Sequence, residues 1–139
     1  MRSFEANIYA LAYFAVVGGC FATELNYSEL DYYNGLYYHP VSSVPYTGKT
    51  LGLVRSQIVD GKYNGPYEQY FINGKLRTKG QYKFGKRQGL WISYHPNGQL
   101  HSKGLFENGR WEGLWVDYYD DGHVRSRGLY VNGVRIKSD

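Results

Sequence analysis

The sequence has little cysteine, methionine or proline: it contains one, one and four of these residues among its 139. A single cysteine excludes an internal disulfide and a zinc site built from four cysteines. The longest apolar run covers only residues 8–17, whereas a membrane-spanning helix needs about 20 such residues. The formal net charge of +4 is mild, so it permits an acidic partner without requiring one.

Glycine and tyrosine are abundant instead, at 18 and 16 residues. Tyrosine favours strands, and glycine favours tight turns. We therefore expect an all-β chain of many short strands, in which aromatic rings supply much of the buried surface.

Residues 1–22 form a candidate signal peptide or lipoprotein leader, because the apolar run fits the hydrophobic part of a secretory signal. Val17-Gly18-Gly19-Cys20 resembles the lipobox of bacterial lipoproteins, which makes Cys20 a candidate lipidation site. A small-x-small pattern over residues 20–22 offers another cleavage site, before Thr23. The alternative is a buried apolar strand or helix with an ordinary free cysteine. Export predicts a location outside the cell or in its envelope; without export the protein is cytoplasmic.

Residues 23–60 are interpreted as a linker followed by an N-terminal cap. The first part is polar and acidic, and the second contains short aromatic strands around Pro40 and Pro45. The terminal units of a repeat array are usually atypical, because they cover an otherwise open edge.

Residues 61–139 contain three gapless copies of a 24-residue unit, which begin at Gly65, Gly89 and Gly113. Each copy has an Asn-Gly or Asp-Gly dipeptide, at residues 73–74, 97–98 and 121–122. These dipeptides predict type I′ hairpin turns, which need positive φ at both central residues. A second turn is expected near residues 84–85, 108–109 and 132–133. Sequential hairpins predict an elongated antiparallel meander, in a single-layer and twisted sheet.

The strand after each Asn-Gly or Asp-Gly turn alternates between two kinds of residue, and a strand points alternate side chains to opposite faces. Small or apolar residues form one set, which we assign inward: Leu76, Thr78, Gly80, Tyr82, Leu100, Ser102, Gly104, Phe106, Val124, Ser126, Gly128 and Tyr130. The mid-strand glycines leave a gap that a neighbouring Trp91 or Trp115 ring could cover.

The other set predicts a basic ladder on the opposite face, and this is the candidate binding face: Arg77, Lys79, His101, Lys103, Arg125 and Arg127. The alternative is a solvated outer face that discourages edge-to-edge aggregation. Tyr67, Trp91 and Trp115 are candidate core residues. If they are exposed instead, they are natural aromatic anchors of an interface.

The repeated pattern Gly-x-Trp-x-x-Tyr-x-x-Asn-Gly-x-Leu-x-x-x-Gly-x-Tyr/Phe-x-x-Gly resembles the MORN-repeat-variant family, over about residues 34–136. Pro66 and Tyr67 replace Leu and Trp in the first copy. Bacterial members of that family are commonly labelled YwqK-type antitoxins of toxin–antitoxin pairs. The resemblance implies a β-hairpin array used as a binding surface, and it implies no catalytic residues.

The residues themselves predict no reaction. The four histidines have no metal-ligand spacing with one another or with Cys20. The glycines fall at strand turns rather than in a phosphate-binding loop, and no nucleophile-elbow pattern occurs. We therefore expect a protein that is not an enzyme and that has no cofactor or metal.

A protein partner is expected, with a toxin among the candidates. The alternative is a peripheral membrane or envelope protein, held by a lipidated Cys20 or by the basic face. Nucleic acid is not expected, because the cations are spread thinly along the chain. Open sheet edges also allow an edge-mediated homodimer.

Overall fold

The computed structural model describes residues 23–42 and 44–138, which are largely β-strand and contain no α-helix. Residues 1–22, and with them the candidate leader and Cys20, lie outside the described residues. The strands are β1 Thr23–Asn26, β2 Asp31–Tyr33, β3 Leu36–Tyr38, β4 Gly48–Leu51, β5 Val54–Val59, β6 Lys62–Tyr70, β7 Leu76–Lys83, β8 Lys86–Tyr94, β9 Leu100–Glu107, β10 Arg110–Tyr118, β11 Val124–Val131 and β12 Val134–Ser138. A short 3-10 helix, Tyr27–Glu29, follows β1.

Ten of these strands form one open sheet, in the order β1-β4-β5-β6-β7-β8-β9-β10-β11-β12. From β4 onward every pair is antiparallel and joins strands that are consecutive in the chain. The predicted all-β meander of consecutive hairpins is therefore confirmed. One feature departs from a pure meander: β1 pairs in parallel with β4, while β2 and β3 form a separate two-stranded ribbon.

Residues 73–74, 97–98 and 121–122 do turn the chain, but the turn type predicted for them is wrong. Only the glycine of each dipeptide takes positive φ, at 79°, 93° and 91°. In the second copy the N–H of Gly98 donates to the carbonyl of His95 at 2.8 Å, and the N–H of His95 donates to the carbonyl of Gln99 at 2.8 Å. This is a three-residue loop closed by a left-handed glycine. The Asn97 side chain stabilises it by accepting from the N–H of Gln99 at 2.9 Å.

Turns with positive φ at both central residues occur at the other end of each hairpin. They lie at residues 84–85, 108–109 and 132–133, as predicted in position, and also at residues 60–61. A side chain 20 residues earlier accepts a hydrogen bond from the turn's first N–H. The three acceptors are Asn64, Gln88 and Glu112.

Each repeat also contains a bulge, on the strand that follows the three-residue loop. Ser93 pairs with Ser102, but Tyr94 pairs with Leu100, so His101 is an extra residue. Directly paired residues share a face, and Leu100 therefore lies with Tyr94 rather than with Ser102. The same register jump occurs in the other two copies. The predicted inward placement of Leu76, Leu100 and Val124 is therefore wrong, because the bulge reverses the alternation before them.

The main packing unit is a tryptophan laid over a glycine of the preceding strand. Trp91 pairs with Gly104, and its own ring covers Gly80, where an added Cβ would collide with the indole. Trp115 covers Gly104 in the same way. The gap predicted at the mid-strand glycines is thus filled by the next repeat, which explains why glycine stands there.

Aromatic rings continue this packing along the sheet. Tyr82 meets Trp91 edge-on at a centroid distance of 5.0 Å, and Phe106 meets Trp115 edge-on at 5.1 Å. Aromatic pairs in this geometry add to the burial of area. Towards the N-terminus, Tyr37 of the two-stranded ribbon packs on Tyr63 at 5.1 Å, so the ribbon lies against the same face. Tyr46 and Ile58 are the largest fully buried side chains of that region.

Candidate functional site

The sheet presents two faces with different chemistry. The face that holds Tyr67, Trp91 and Trp115 is called here the aromatic face. The opposite face is called the leucine–cation face, and its leucines and cations are exposed, whereas Ile92 is half-buried and Val116 is buried. Its residues are Lys79, Leu90, Ile92, Lys103, Leu105, Leu114, Val116, Arg127 and Leu129.

The cations of the leucine–cation face stand in one continuous row across five strands. Lys79 pairs with Ile92, and Ile92 pairs with Lys103. Val116 then pairs with both Lys103 and Arg127. Cation and aliphatic side chain therefore alternate from β7 to β11. In residues 23–42 and 44–138, none of the three cations forms an ion pair.

Leucines lie beside this row, each two residues away from the row residue of the same strand. Leu90 pairs directly with Leu105, and Leu114 pairs directly with Leu129. All four are exposed, and Leu90 and Leu114 most of all, at 53% and 56%. A shallow depression at the β6–β8 end of the face is lined in part by Leu90 and Ile92. Grouped exposed leucines on a folded surface are typical of an interaction site.

The predicted basic ladder is divided between two environments. Lys79, Lys103 and Arg127 stand in the row just described. Arg77, His101 and Arg125 occupy the bulges instead, so strict alternation does not apply to them. The six residues do not form one row, and the bulge is the physical reason.

His101 shows where a bulged side chain goes. Its Nδ1 lies 3.0 Å from the Oγ of Ser93, which in turn bonds the Oγ of Ser102 at 2.7 Å. Both serines share the face of Trp91, so His101 belongs to the aromatic face. Its ring also meets His95 edge-on at 4.6 Å. The described residues contain no group of three or more metal-ligating side chains.

The aromatic face buries its candidate residues to different degrees. Trp91 is 3% exposed, while Trp115 and Tyr67 are half-buried. The indole N–H of Trp91 donates to the carbonyl of Gln81 at 3.2 Å, and Arg87 stacks over the ring at 4.4 Å. This Arg87 contact was not predicted from the sequence. Trp91 is therefore satisfied within the fold and has little surface left for a partner.

Three tyrosine hydroxyls meet where the ribbon joins the aromatic face. The Tyr27 and Tyr37 hydroxyls lie 2.8 Å apart, and Tyr63 donates to Tyr37 at 3.1 Å. Burial, and then hydrogen bonding to Tyr27, raises the pKa of Tyr37 and of Tyr63 far above the ordinary value. Burial also raises the pKa of the neighbouring Tyr67 to about 12. These shifts follow from packing and indicate no acid–base role.

The described part of the chain holds no helix that is long and apolar enough to cross a bilayer. Its open sheet of tandem hairpins, with one face packed by rings, defines a repeat scaffold in which each unit contacts only its neighbours.

The particular family is shown by the repeats themselves. The MORN repeat variant matches three times, at residues 63–84, 87–108 and 111–132. Residues 63–132 are therefore three tandem MORN repeat variants, a class of module that is commonly non-enzymatic and binds proteins or membranes. No curated protein matches the chain.

The exposed leucines were missed in the sequence, although the sequence contains the necessary pattern. Leu90 and Leu114 directly precede tryptophans, and Leu105 and Leu129 directly precede an inward Phe or Tyr. Neighbouring residues of a strand point to opposite faces. Inward rings therefore require outward leucines at all four positions.

Proposed function

We propose that this protein is a non-enzymatic module that binds another protein through the leucine–cation face. The observation that carries the proposal is the repeated pairing of exposed leucines beside a row of cations that form no ion pair with any residue the structure describes. Apolar side chains supply the free energy of association, and charges select the partner and speed the encounter.

The chemistry of this face defines the partner it suits. Leucine pairs call for an aliphatic surface, and Lys79, Lys103 and Arg127 call for carboxylates near it. The net charge of +4 also favours an acidic partner. The aromatic face offers less exposed apolar surface at its centre, since Trp91 is buried there at 3% exposure.

Co-purification from native cells tests the proposal with matched variants. Leu90→Ser and Leu114→Ser remove apolar surface from the face. Ile72→Ser is the control, because Ile72 is 92% exposed and lies in a turn outside the face. One protein should be retained by the parent and by Ile72→Ser at physiological salt, and lost from the two leucine variants.

Two outcomes would count against the proposal. If no protein is retained by the parent, the chain is not a stable protein-binding module. If one protein is retained equally by all variants, binding uses another surface. Circular dichroism of each variant checks that the exposed substitutions leave the sheet intact.

A toxin is one candidate for such a partner, on the family resemblance of residues 34–136. Neutralisation would then consist of covering the toxin's active surface, which needs no catalytic group on this chain. Co-expression with the product of the adjacent gene tests this: growth should be rescued by the parent and less by Leu114→Ser.

Peripheral attachment to a membrane or envelope is the second candidate function. Leucines among lysines and arginines also suit an anionic headgroup layer, at about 1 kcal/mol per cation. Cys20, outside the described residues, would add a lipid anchor if the lipobox-like sequence is used. An exported, envelope-associated protein would follow.

Liposome flotation separates these versions. Cys20→Ala from native cells should float less than the parent if a lipid holds the protein. Equal flotation of the two would remove the lipid anchor. Flotation that is lost in Leu114→Ser but kept in Cys20→Ala would assign membrane binding to the leucine–cation face.

A further inference from the structure

The cations of the leucine–cation face recur at a fixed interval. Lys79, Lys103 and Arg127 stand on alternate strands β7, β9 and β11 and are linked through direct pairs with Ile92 and Val116. Neighbouring strands lie about 4.8 Å apart, so the cations recur about every 10 Å. The leucine pairs beside them recur at the same interval, because both belong to the 24-residue repeat.

Few chain conformations present a side chain to one surface at that interval. A polyproline II segment rises about 3.1 Å per residue with three residues per turn, so every third residue faces the row at about 9.3 Å. A β-strand repeats one face at about 6.6 Å, which does not match. A helix repeats at about 10.5 Å per seven residues, which is also near the interval.

The twist of the sheet decides between a polyproline II segment and a helix, the two conformations whose repeat matches the interval. Adjacent strands rotate by about 20–25°, so the direction in which the row points turns along the sheet. A straight helix could follow it only over one repeat. An extended segment has no internal hydrogen bonds to break, and it can wind with the row across all three cations.

We infer that the leucine–cation face binds an extended acidic segment of its partner, laid across strands β7 to β11, with a carboxylate at every third residue. The carboxylates pair with Lys79, Lys103 and Arg127. Aliphatic residues between them reach sideways to the leucine pairs, Leu90 with Leu105 and Leu114 with Leu129. This inference rests on the proposed protein-binding function and names the form of the ligand.

Synthetic peptides test the spacing directly. The probe is a peptide of Glu-Val-Pro triplets, and the comparison peptide has the same composition with its glutamates in one block. A third, helical peptide carries glutamate at every seventh residue. Fluorescence anisotropy at physiological salt should give the tightest binding for the triplet peptide, by about fivefold or more over the block peptide, because only its carboxylates match the spacing of the cations.

A pair of arginines in one strand supplies the matched control. Arg127→Gln and Arg125→Gln make the same change in charge, two residues apart on β11, and both side chains are exposed. Only Arg127 belongs to the row. Arg127→Gln should weaken the triplet peptide about three- to fivefold, and Arg125→Gln by less than about twofold.

Several results would overturn the inference. Equal binding of triplet and block peptides would mean unspecific attraction of charge. An equal loss of affinity for the triplet peptide in Arg125→Gln and Arg127→Gln would also mean unspecific attraction of charge. Tighter binding of the helical peptide would replace the extended ligand by a helix. Binding only to vesicles containing anionic lipid, with the same dependence on Arg127, would replace it by a membrane.

The two proposals fail separately. If a native partner is lost from Leu114→Ser but no peptide binds in register, the binding face stands and the form of the ligand is wrong. If the triplet peptide binds in register but a native partner binds Leu114→Ser as tightly as the parent, the face binds an extended acidic segment. The native partner then uses another surface, and the proposed function is wrong.

Discussion

The indole N–H of Trp115 donates a hydrogen bond of 3.0 Å to the carbonyl of Leu105, while the indole ring covers the adjacent Gly104. Trp91 makes the same arrangement with Gln81 and Gly80. The second and third repeats therefore each place a tryptophan in a gap built by the repeat before it. These contacts between neighbouring repeats therefore contribute to the stability of each repeat.

Gly104→Ala should destabilise the protein, because the new Cβ would occupy space held by the Trp115 ring. Overpacking of this kind costs about 1–3 kcal/mol. The double variant Gly104→Ala with Trp115→Ala should lose less than the sum of the single losses, since the ring is then absent. Urea denaturation of the four proteins measures this coupling, and strict additivity would show that ring and glycine do not meet.

Phe84→Asn should stabilise the protein by about 1 kcal/mol, since left-handed backbone is unfavourable for a bulky residue. Phe84 has φ 48° and its ring is 68% exposed, so the change loses little packing. Asn108 holds the equivalent position with φ 50°. Asn108→Phe should therefore lose about as much as Phe84→Asn gains. Thermal melting checks both, and a loss of stability in Phe84→Asn would contradict the prediction.

Asn97→Asp should cost about 1 kcal/mol, because Asn97 performs two tasks. Its side-chain oxygen accepts from the N–H of Gln99, and its amide donates to the carbonyl of Asp120 in the next turn at 2.8 Å. Aspartate keeps the first bond and loses the second.

Asp121→Asn is the matched control for Asn97→Asp. Asp121 accepts from the N–H of His123 at 2.9 Å, which an asparagine oxygen also does. Its pair with His123 is solvent-exposed and contributes little. The free energy of unfolding should therefore change clearly less in Asp121→Asn than in Asn97→Asp. Equal losses in the two variants would show that the link between turns contributes nothing.

Alkaline pH should weaken the parent more than Tyr67→Phe. Burial raises the pKa of Tyr67 from 10.0 to about 12, so the folded state keeps the phenol proton after the unfolded chain has lost it. The stabilisation is complete below pH 10 and is lost as the pH rises towards 12. Melting temperatures across this range should fall more steeply for the parent, and parallel curves would contradict the assigned burial.

Much of the fold is predictable from the 24-residue period, because period-2 alternation and turn residues act locally. The sequence alone indicated the second turns, the glycine gaps and the tryptophans that fill them. It did not reveal that Asn97 avoids positive φ, because an Asn-Gly dipeptide is compatible with both turn types.

The candidate site was less predictable, because one bulged residue reverses every side chain beyond it. His101 and Lys103 look equivalent by alternation, yet the structure places them on different faces. The parallel pairing of β1 with β4 was also not foreseen, since the first strand carries no periodic pattern and its place depends on contacts distant in sequence.

Neighbour-only pairing from β4 to β12 has a mechanical consequence. A force that pulls the two ends of the sheet apart would break the hydrogen bonds of one strand pair at a time. The strand pairs would not all be loaded together. Each repeat that opens would release about 80 Å of extended chain, so the protein would lengthen in small steps at low force.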